Sequence, residues 1–379
     1  MKELSDIQVS FESFRLKKRE TGEERTFTLR PFREGDEDGI MACVRSEYGE
    51  SYFKRFFYDH ALIREKAFSD GYDFFVAETD GVIAGFEIFT YPVETDQCIE
   101  AASQILNRSY RGYGLSGVMV DYIFRLLEQL EPSAIFVFAV TFHTSTQHTY
   151  LKRGMTGTGF RLGRFLTEMM ENSYKRGRCD KYSEGIMIRP IAKRDAGTVY
   201  LPEEVAAFGE RVYRNLDVRY EIRAGESRQG ANCRGDRTEH GNVSVSGEAA
   251  AQSGVRPESG EYHITVDELQ QFVEVRVITE GRDLTARMKE LIDRYRGEGT
   301  YTIQVILYDD TPVVWDCYEE LKKLGFFFTG IRPLCGPREQ LCMQWVDDWE
   351  LCMEDYVLTD SFRAIANEIE AFYEGRTQA

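Results

Sequence analysis

The chain has 379 residues, of which 42% are hydrophobic and 13% aromatic, and it carries a formal charge of −17. That length exceeds what one core usually serves, so two domains are expected, and the apolar content suffices for ordinary soluble cores. The negative charge argues against nucleic acid, whose binding relies on Lys and Arg displacing condensed counterions. No apolar run is long enough for a membrane span and the N-terminus lacks a signal-peptide pattern, so the expectation is no membrane and a cytoplasmic location. Eight cysteines form no C-x-x-C pair and have no histidines at zinc-like intervals, which reads as reduced packing thiols and no metal.

In chain order, Thr26 to Phe32 alternates as a short strand, and Arg33 to Asp38 supplies turn and helix-start residues ahead of Ile40, Met41 and Val44. Between Asp73 and Phe89 the Asp80-Gly81 pair separates two β-rich runs, a hairpin signature. Ile99 to Leu106 reads as another strand. After the glycine-rich turn at 112 to 117, the spacing of Val118, Val120, Ile123, Phe124, Leu126 and Leu127 predicts one apolar helix face. Ala134 to Val140 is apolar throughout, as a central strand covered on both sides should be. The predicted order is β-α-β-β-β-α-β.

Gly185 to Ile191 reads as a strand, Pro202 to about Leu216 as a helix and Val218 to Arg223 as a strand. From Gly225 to Gly260 the composition turns to glycine, serine, charged and amide residues, which predicts a flexible insertion. Beyond it come strand Phe272 to Ile278, helix Leu284 to Tyr295, strand Tyr301 to Tyr308, helix Val314 to Leu324, an aromatic strand after Gly325, strand Gln340 to Val346 and an amphipathic helix from Ser361 to Tyr373. Gly112 precedes Gly154 by 42 residues and Gly281 precedes Gly325 by 44, with strand, helix, strand and helix filling both intervals, which reads as a degenerate internal repeat.

The chemistry centres on Arg111-Gly112-Tyr113-Gly114-Leu115-Ser116-Gly117. A strand leading into a glycine-rich turn and then a helix presents unpaired N–H groups and the positive end of the helix dipole, which suits a pyrophosphate. This loop, with Arg111, Gly114 and Ser116 at the positions of Gln/Arg, Gly and Gly/Ala, resembles the acyl-CoA loop of the GNAT acyltransferase superfamily. Tyr150-Leu-Lys-Arg-Gly154-Met155 resembles that family's Tyr-x-x-x-Gly-Phe ending, with Met155 in place of the aromatic residue. The resemblance covers residues 26–170. It implies an α/β mixed-sheet fold (α+β by some schemes), acetyl-CoA or another acyl-CoA as cofactor, and Tyr150 as the acid that protonates the departing thiolate. It also implies that the backbone of Ile105, Leu106 and Asn107 holds pantetheine, with an N–H near Leu106 polarising the thioester.

Three groups compete for the base: His143 at the end of the central strand, Glu100 and Glu87. In the second half the loop position reads Glu280-Gly-Arg-Asp283 and the tyrosine position is Leu321, so this copy should bind no CoA and serve packing, substrate enclosure or homodimer formation. The expected layout is a GNAT-like domain at 26–170, a connecting segment at 171–224, the insertion at 225–260 and a degenerate GNAT-like domain at 261–379. The expected activity is N-acyl transfer to a small-molecule or peptide amine, the alternative being a non-catalytic acyl-CoA sensor or interaction module. The Phe326 to Phe328 run is expected to alternate between core and interdomain surface.

Overall fold

The computed structural model describes residues 4–92, 98–169, 180–192, 197–227, 256–333, 338–347, 349 and 351–376. The first half runs β1 (Glu12–Lys17), β2 (Glu24–Pro31), α1 (Glu37–Tyr48), α2 (His60–Ala67), β3 (Tyr72–Thr79), β4 (Val82–Thr90), β5 (Cys98–Leu106), α3 (Leu115–Leu130), β6 (Ala134–Val140), α4 (Ser145–Leu151), β7 (Thr156–Leu166) and β8 (Lys181–Pro190). Then follow β9 (Thr198–Pro202), α5 (Glu203–Asn215), β10 (Glu221–Gly225), β11 (Glu261–Asp267), β12 (Phe272–Thr279), α6 (Leu284–Tyr295), β13 (Thr302–Tyr308), α7 (Val313–Lys323), β14 (Phe327–Arg332), β15 (Gln340–Val346) and α8 (Asp360–Glu374). Among the described residues, no helix is long and apolar enough to cross a membrane.

Local chemistry accounts for the main landmarks. Asp80 and Gly81 both take positive φ (50° and 76°), so β3 and β4 close through a two-residue loop with Thr79 opposite Val82. Asp59 accepts from the N–H groups of Ala61 and Leu62 and so starts α2, which the apolar periodicity alone does not reveal. β1, also unforeseen, pairs antiparallel with β2 from Glu12↔Leu29 to Lys17↔Glu24. Alternation along β3 sends Phe74 and Val76 to a core under α1 and α2, and Phe75 and Ala77 to the larger core under α3.

Thirteen strands form one sheet in the order β1-β2-β3-β4-β5-β6-β8-β7-β14-β15-β13-β12-β11. Reading outward from the centre, β7-β8-β6-β5-β4 is matched by β14-β15-β13-β12-β11, with β5/β6 and β12/β13 as the parallel pairs. The two halves therefore share a strand order. The halves meet at Gly159↔Gly330, which have φ of 154° and 141°; a Cβ on Gly159 would lie 2.5 Å from the Thr329 carbonyl oxygen. Only glycine allows the two backbones to come so near.

Phe326, Phe327 and Phe328 are all buried, α5 and α8 covering this stretch with Phe208 and Phe372 on Phe328 and Tyr373 on Phe327. The predicted insertion lies, from 228 to 255, outside the described residues. Its described ends are anchored, Ser227 donating to Asp316 at 2.6 Å and Arg256 pairing with Glu320 at 2.5 Å. Cys43, Cys98, Cys317, Cys342 and Cys352 carry buried free thiols.

Candidate active site

β5 and β6 pair only at Cys98↔Ala134, Ile99↔Ile135 and Glu100↔Phe136. Past Glu100 they part, while β6 stays paired with β8 as far as Val140↔Glu184 and β5 with β4 as far as Gly85↔Leu106. A cavity of about 950 Å³ occupies this wedge, bounded by Ala101 to Leu106 on one side and by Val137, Phe138 and Val140 on the other. Its lining includes Ser116, Thr149 and Tyr150 from α3 and α4 as well as Tyr48 from α1, so the opening passes through the sheet.

A bulge sharpens the divergence. Phe86 faces Ile105 while Ile88 faces Ala102, leaving Ser103 and Gln104 opposite Glu87, and Ser103 takes φ 51°. The bulge sends the two side chains to different partners. Ser103 Oγ receives Lys54 Nζ at 2.8 Å and lies 2.9 Å from the Tyr52 hydroxyl. Gln104 Nε2 donates to Glu87 Oε2 at 2.7 Å and to the Ser116 carbonyl at 3.2 Å, while Ser116 Oγ donates to Gln104 Oε1. The serine at the family's glycine/alanine position thus ties the loop to the splayed strand.

Within the loop, Tyr113 and Leu115 are anchors in the core, Tyr113 stacking edge-on against Phe27 at 5.3 Å. Gly112 and Gly114 take φ of 88° and 77°, and α3 begins at Leu115 with glycine as its cap, so no cap side chain accepts its first-turn N–H groups. The Arg19 N–H donates to the Gly112 carbonyl at 3.1 Å, so the β1–β2 turn braces the loop. Arg111 pairs with Glu47 of α1, which also holds Arg108. Gly117 lies in the first turn of α3, and its carbonyl accepts from Arg153 Nη2 at 2.7 Å.

Tyr150 is 2% exposed and donates its hydroxyl to Glu87 Oε1 at 2.7 Å. Burial raises the Glu87 carboxyl to about 7, against which the bonds from Tyr150 and Gln104 act. Burial and the Glu87 charge push the Tyr150 phenol well above its ordinary value. Glu100 stands at the fork of the wedge and accepts from Thr90 at 3.0 Å, and His143 lines the cavity beyond the end of β6. Ile105 and Leu106 line the wedge, but the Asn107 N–H donates to the Ala84 carbonyl at 2.9 Å and its side chain accepts from Ser109.

Residues the sequence reading did not single out complete the cavity: Lys54, Arg161, Arg164, Glu184 and, from the second half, Gln270. Gln147 donates to the carbonyls of Val140 (3.2 Å) and Val357 (3.1 Å) and accepts from the Thr359 N–H, stitching the C-terminal segment to the end of β6. In the second half β12 and β13 pair over five positions, from Phe272↔Thr302 to Arg276↔Ile306, against three between β5 and β6. The corresponding helix start holds Asp283, which accepts from the Gly260 N–H and the Tyr262 hydroxyl, both at 2.7 Å.

No protein-family model and no curated protein matches the sequence. Solved structures similar to part of the chain include N-acetyltransferases of the GNAT superfamily, each covering about 45% of it. They include the ribosomal-protein-S18-alanine N-acetyltransferase from Escherichia coli (12% identity, 45% of this chain and 96% of that one, TM-score 0.36). An N-acetyltransferase from Staphylococcus aureus Mu50 matches at 13% identity over 44% of this chain and 98% of that one, with a TM-score of 0.37. A GNAT-superfamily phosphinothricin acetyltransferase from Sinorhizobium meliloti, solved in complex with AcCoA, matches at 19% identity over 44% of this chain and 89% of that one, with a TM-score of 0.36.

Proposed function

We propose that the chain is an N-acyltransferase that moves an acetyl or related acyl group from acyl-CoA to an amine by direct attack on the thioester. The observation that carries this reading is the wedge between β5 and β6, which opens a cavity through the sheet beside the glycine-capped start of α3 and the buried Tyr150–Glu87 pair. A long thin cofactor arm supplies strand-like hydrogen-bonding groups to edges that would otherwise go without them. The first-turn N–H groups of Leu115, Ser116 and Gly117 would receive the pyrophosphate, and the cofactor would supply the activated acyl thioester. Arg111 would exchange its bond to Glu47 for a phosphate oxygen, and the wedge edge at Ile105 and Leu106 would position the pantetheine. The engaged Asn107 N–H would take no part.

Chemistry follows from hydrogen-bond direction. The Tyr150 hydroxyl has one proton, and an ionised Glu87 holds it. When Glu87 is protonated it donates to the Tyr150 oxygen, and the phenol proton turns toward the departing sulfur. The amine nitrogen bonds to the acyl carbon, the C–S bond breaks, the thiolate takes the Tyr150 proton and Tyr150 takes that of Glu87. Glu100 or His143 would accept the proton the ammonium loses, directly or through water.

We take residues 26–170, extended by β1, as the acyl-CoA unit, 171–224 as the connection and 261–379 as a degenerate copy that binds no CoA. The longer pairing of β12 with β13 and the Asp283 carboxylate at the helix start support the last point. The alternative, an acyl-CoA sensor, draws support from the Tyr150 hydroxyl pointing at Glu87 in the ligand-free chain. Thiol release from acetyl-CoA across a panel of primary amines separates the two. Amine-dependent release at a rate above buffer supports the enzyme, and tight acetyl-CoA binding without release supports the sensor.

A further inference from the structure

Although the chain as a whole is acidic, the end of the cavity away from α3 is not. Lys54, Arg161 and Arg164 line it together with two carboxylates, Glu100 and Glu184. Arg161 Nη1 lies 3.2 Å from Glu184 and its Nη2 3.7 Å from Glu274, and its buried Nε has no hydrogen-bond partner among the described residues. Arg164 Nη1 lies 2.9 Å from Asp267. Glu274 and Asp267 belong to the second half and lie outside the cavity lining, so they hold the two guanidinium groups from behind. Phe272 stands between them, 5.3 Å from Arg161 and 5.2 Å from Arg164. Lys54 donates to the Ser103 hydroxyl and, among the described residues, has no carboxylate within ion-pair distance.

The lining itself holds these three cations beside two carboxylates, Glu274 and Asp267 reaching the arginines only from outside it, and a planar guanidinium pair suits a carboxylate ligand. Glu100 sits at the fork where β5 leaves β6 and lines the same cavity as Lys54, Arg161 and Arg164. We propose that the acceptor is an amino acid or similar aminocarboxylate, its carboxylate held by Arg161, Arg164 and Lys54 and its amine directed toward Glu100. The second half of the chain then sets acceptor specificity, through Asp267 and Glu274 behind the arginines and Gln270 in the wall. This deepens the acyltransfer reading and depends on it.

The test uses the full chain, acetyl-CoA and matched acceptor pairs, each an α-amino acid and its decarboxylated amine, among them phenylalanine with phenethylamine and leucine with 3-methylbutylamine. Thiol release gives kcat and KM for each member. Calorimetry with acetyl-CoA alone reports donor binding for the wild type, Arg164→Gln and Arg164→Lys. The expected result is a preference for the carboxylated member of about tenfold or more in kcat/KM, lost through KM in Arg164→Gln and partly restored in Arg164→Lys, with acetyl-CoA affinity within about twofold of wild type throughout. Equal or better use of the decarboxylated amines, or no use of any amino acid while acetyl-CoA binds, overturns the acceptor assignment. Absence of acetyl-CoA binding in the wild type overturns the acyltransfer reading and the proposal with it.

Discussion

Replacing Glu87 by Gln should make stability at alkaline pH better, not worse. A carboxyl raised from 4.5 to about 7 has an ionised form disfavoured in the fold by about 3 kcal/mol, at about 1.4 kcal/mol per tenfold change. Its folded value lies above its unfolded one, so its contribution is fully present below pH 4.5 and is lost as pH rises through 7. Gln has no such titration. It keeps the acceptor for the Tyr150 hydroxyl but presents an amide to the Gln104 amide, which must turn over and disturb its bonds to Ser116. That rearrangement costs about 1 kcal/mol. Glu87→Gln should therefore be about 1 kcal/mol less stable than wild type at pH 4 and about 2 kcal/mol more stable at pH 8.5. Thermal or urea unfolding at the two pH values reads the difference. An offset that is the same at both pH values would refute a raised Glu87 carboxyl, and with it the proton relay through Tyr150.

Tyr150→Phe should lower kcat by about a hundredfold or more while leaving acetyl-CoA affinity within about twofold, as removal of an acid that acts only in the transition state requires; a smaller loss would place the acid elsewhere. The wild-type rate with a neutral nucleophile should fall as pH passes about 7, because ionised Glu87 retains the Tyr150 proton; a flat profile from pH 6 to 9 speaks against the relay. Gly159→Ala should destabilise the chain by about 2 kcal/mol or more, since φ 154° and a Cβ 2.5 Å from the Thr329 carbonyl force β7 and β14 apart; an unchanged melting temperature would contradict that contact. Gly114→Val, placing a β-branched residue at φ 77° in the helix cap, should weaken acetyl-CoA binding by about tenfold or more with secondary structure retained by circular dichroism.

Periodicity and turn chemistry made most of the sheet legible: the Asp80-Gly81 hairpin, the apolar β6 and the helix after Gly114 follow from local pattern. The glycines that repeat at similar spacing in the two halves pointed to the mirrored strand order. β1 escaped because its residues alternate on a sheet edge with mixed polarity, and α2 because a short helix held by an Asp59 cap carries little apolar signal. The loop and Tyr150 were legible because they lie within contiguous motifs. The Ser116–Gln104–Glu87–Tyr150 network was not, since it joins residues from four elements through a bulge that no local pattern encodes. Glu87, a single charge in the apolar β4, was legible as a candidate base, whereas Arg161, Arg164 and Glu184 lie in the mixed strands β7 and β8, whose pattern gives no such signal.

Calorimetric titration of the full chain with acetyl-CoA, repeated on Gly114→Val, tests the central claim most directly. A site built on the β5–β6 wedge and the glycine cap of α3 predicts one site per chain, lost or weakened about tenfold in the variant. No binding, two sites per chain, or binding that the variant leaves untouched would contradict a single acyl-CoA site between β5 and β6.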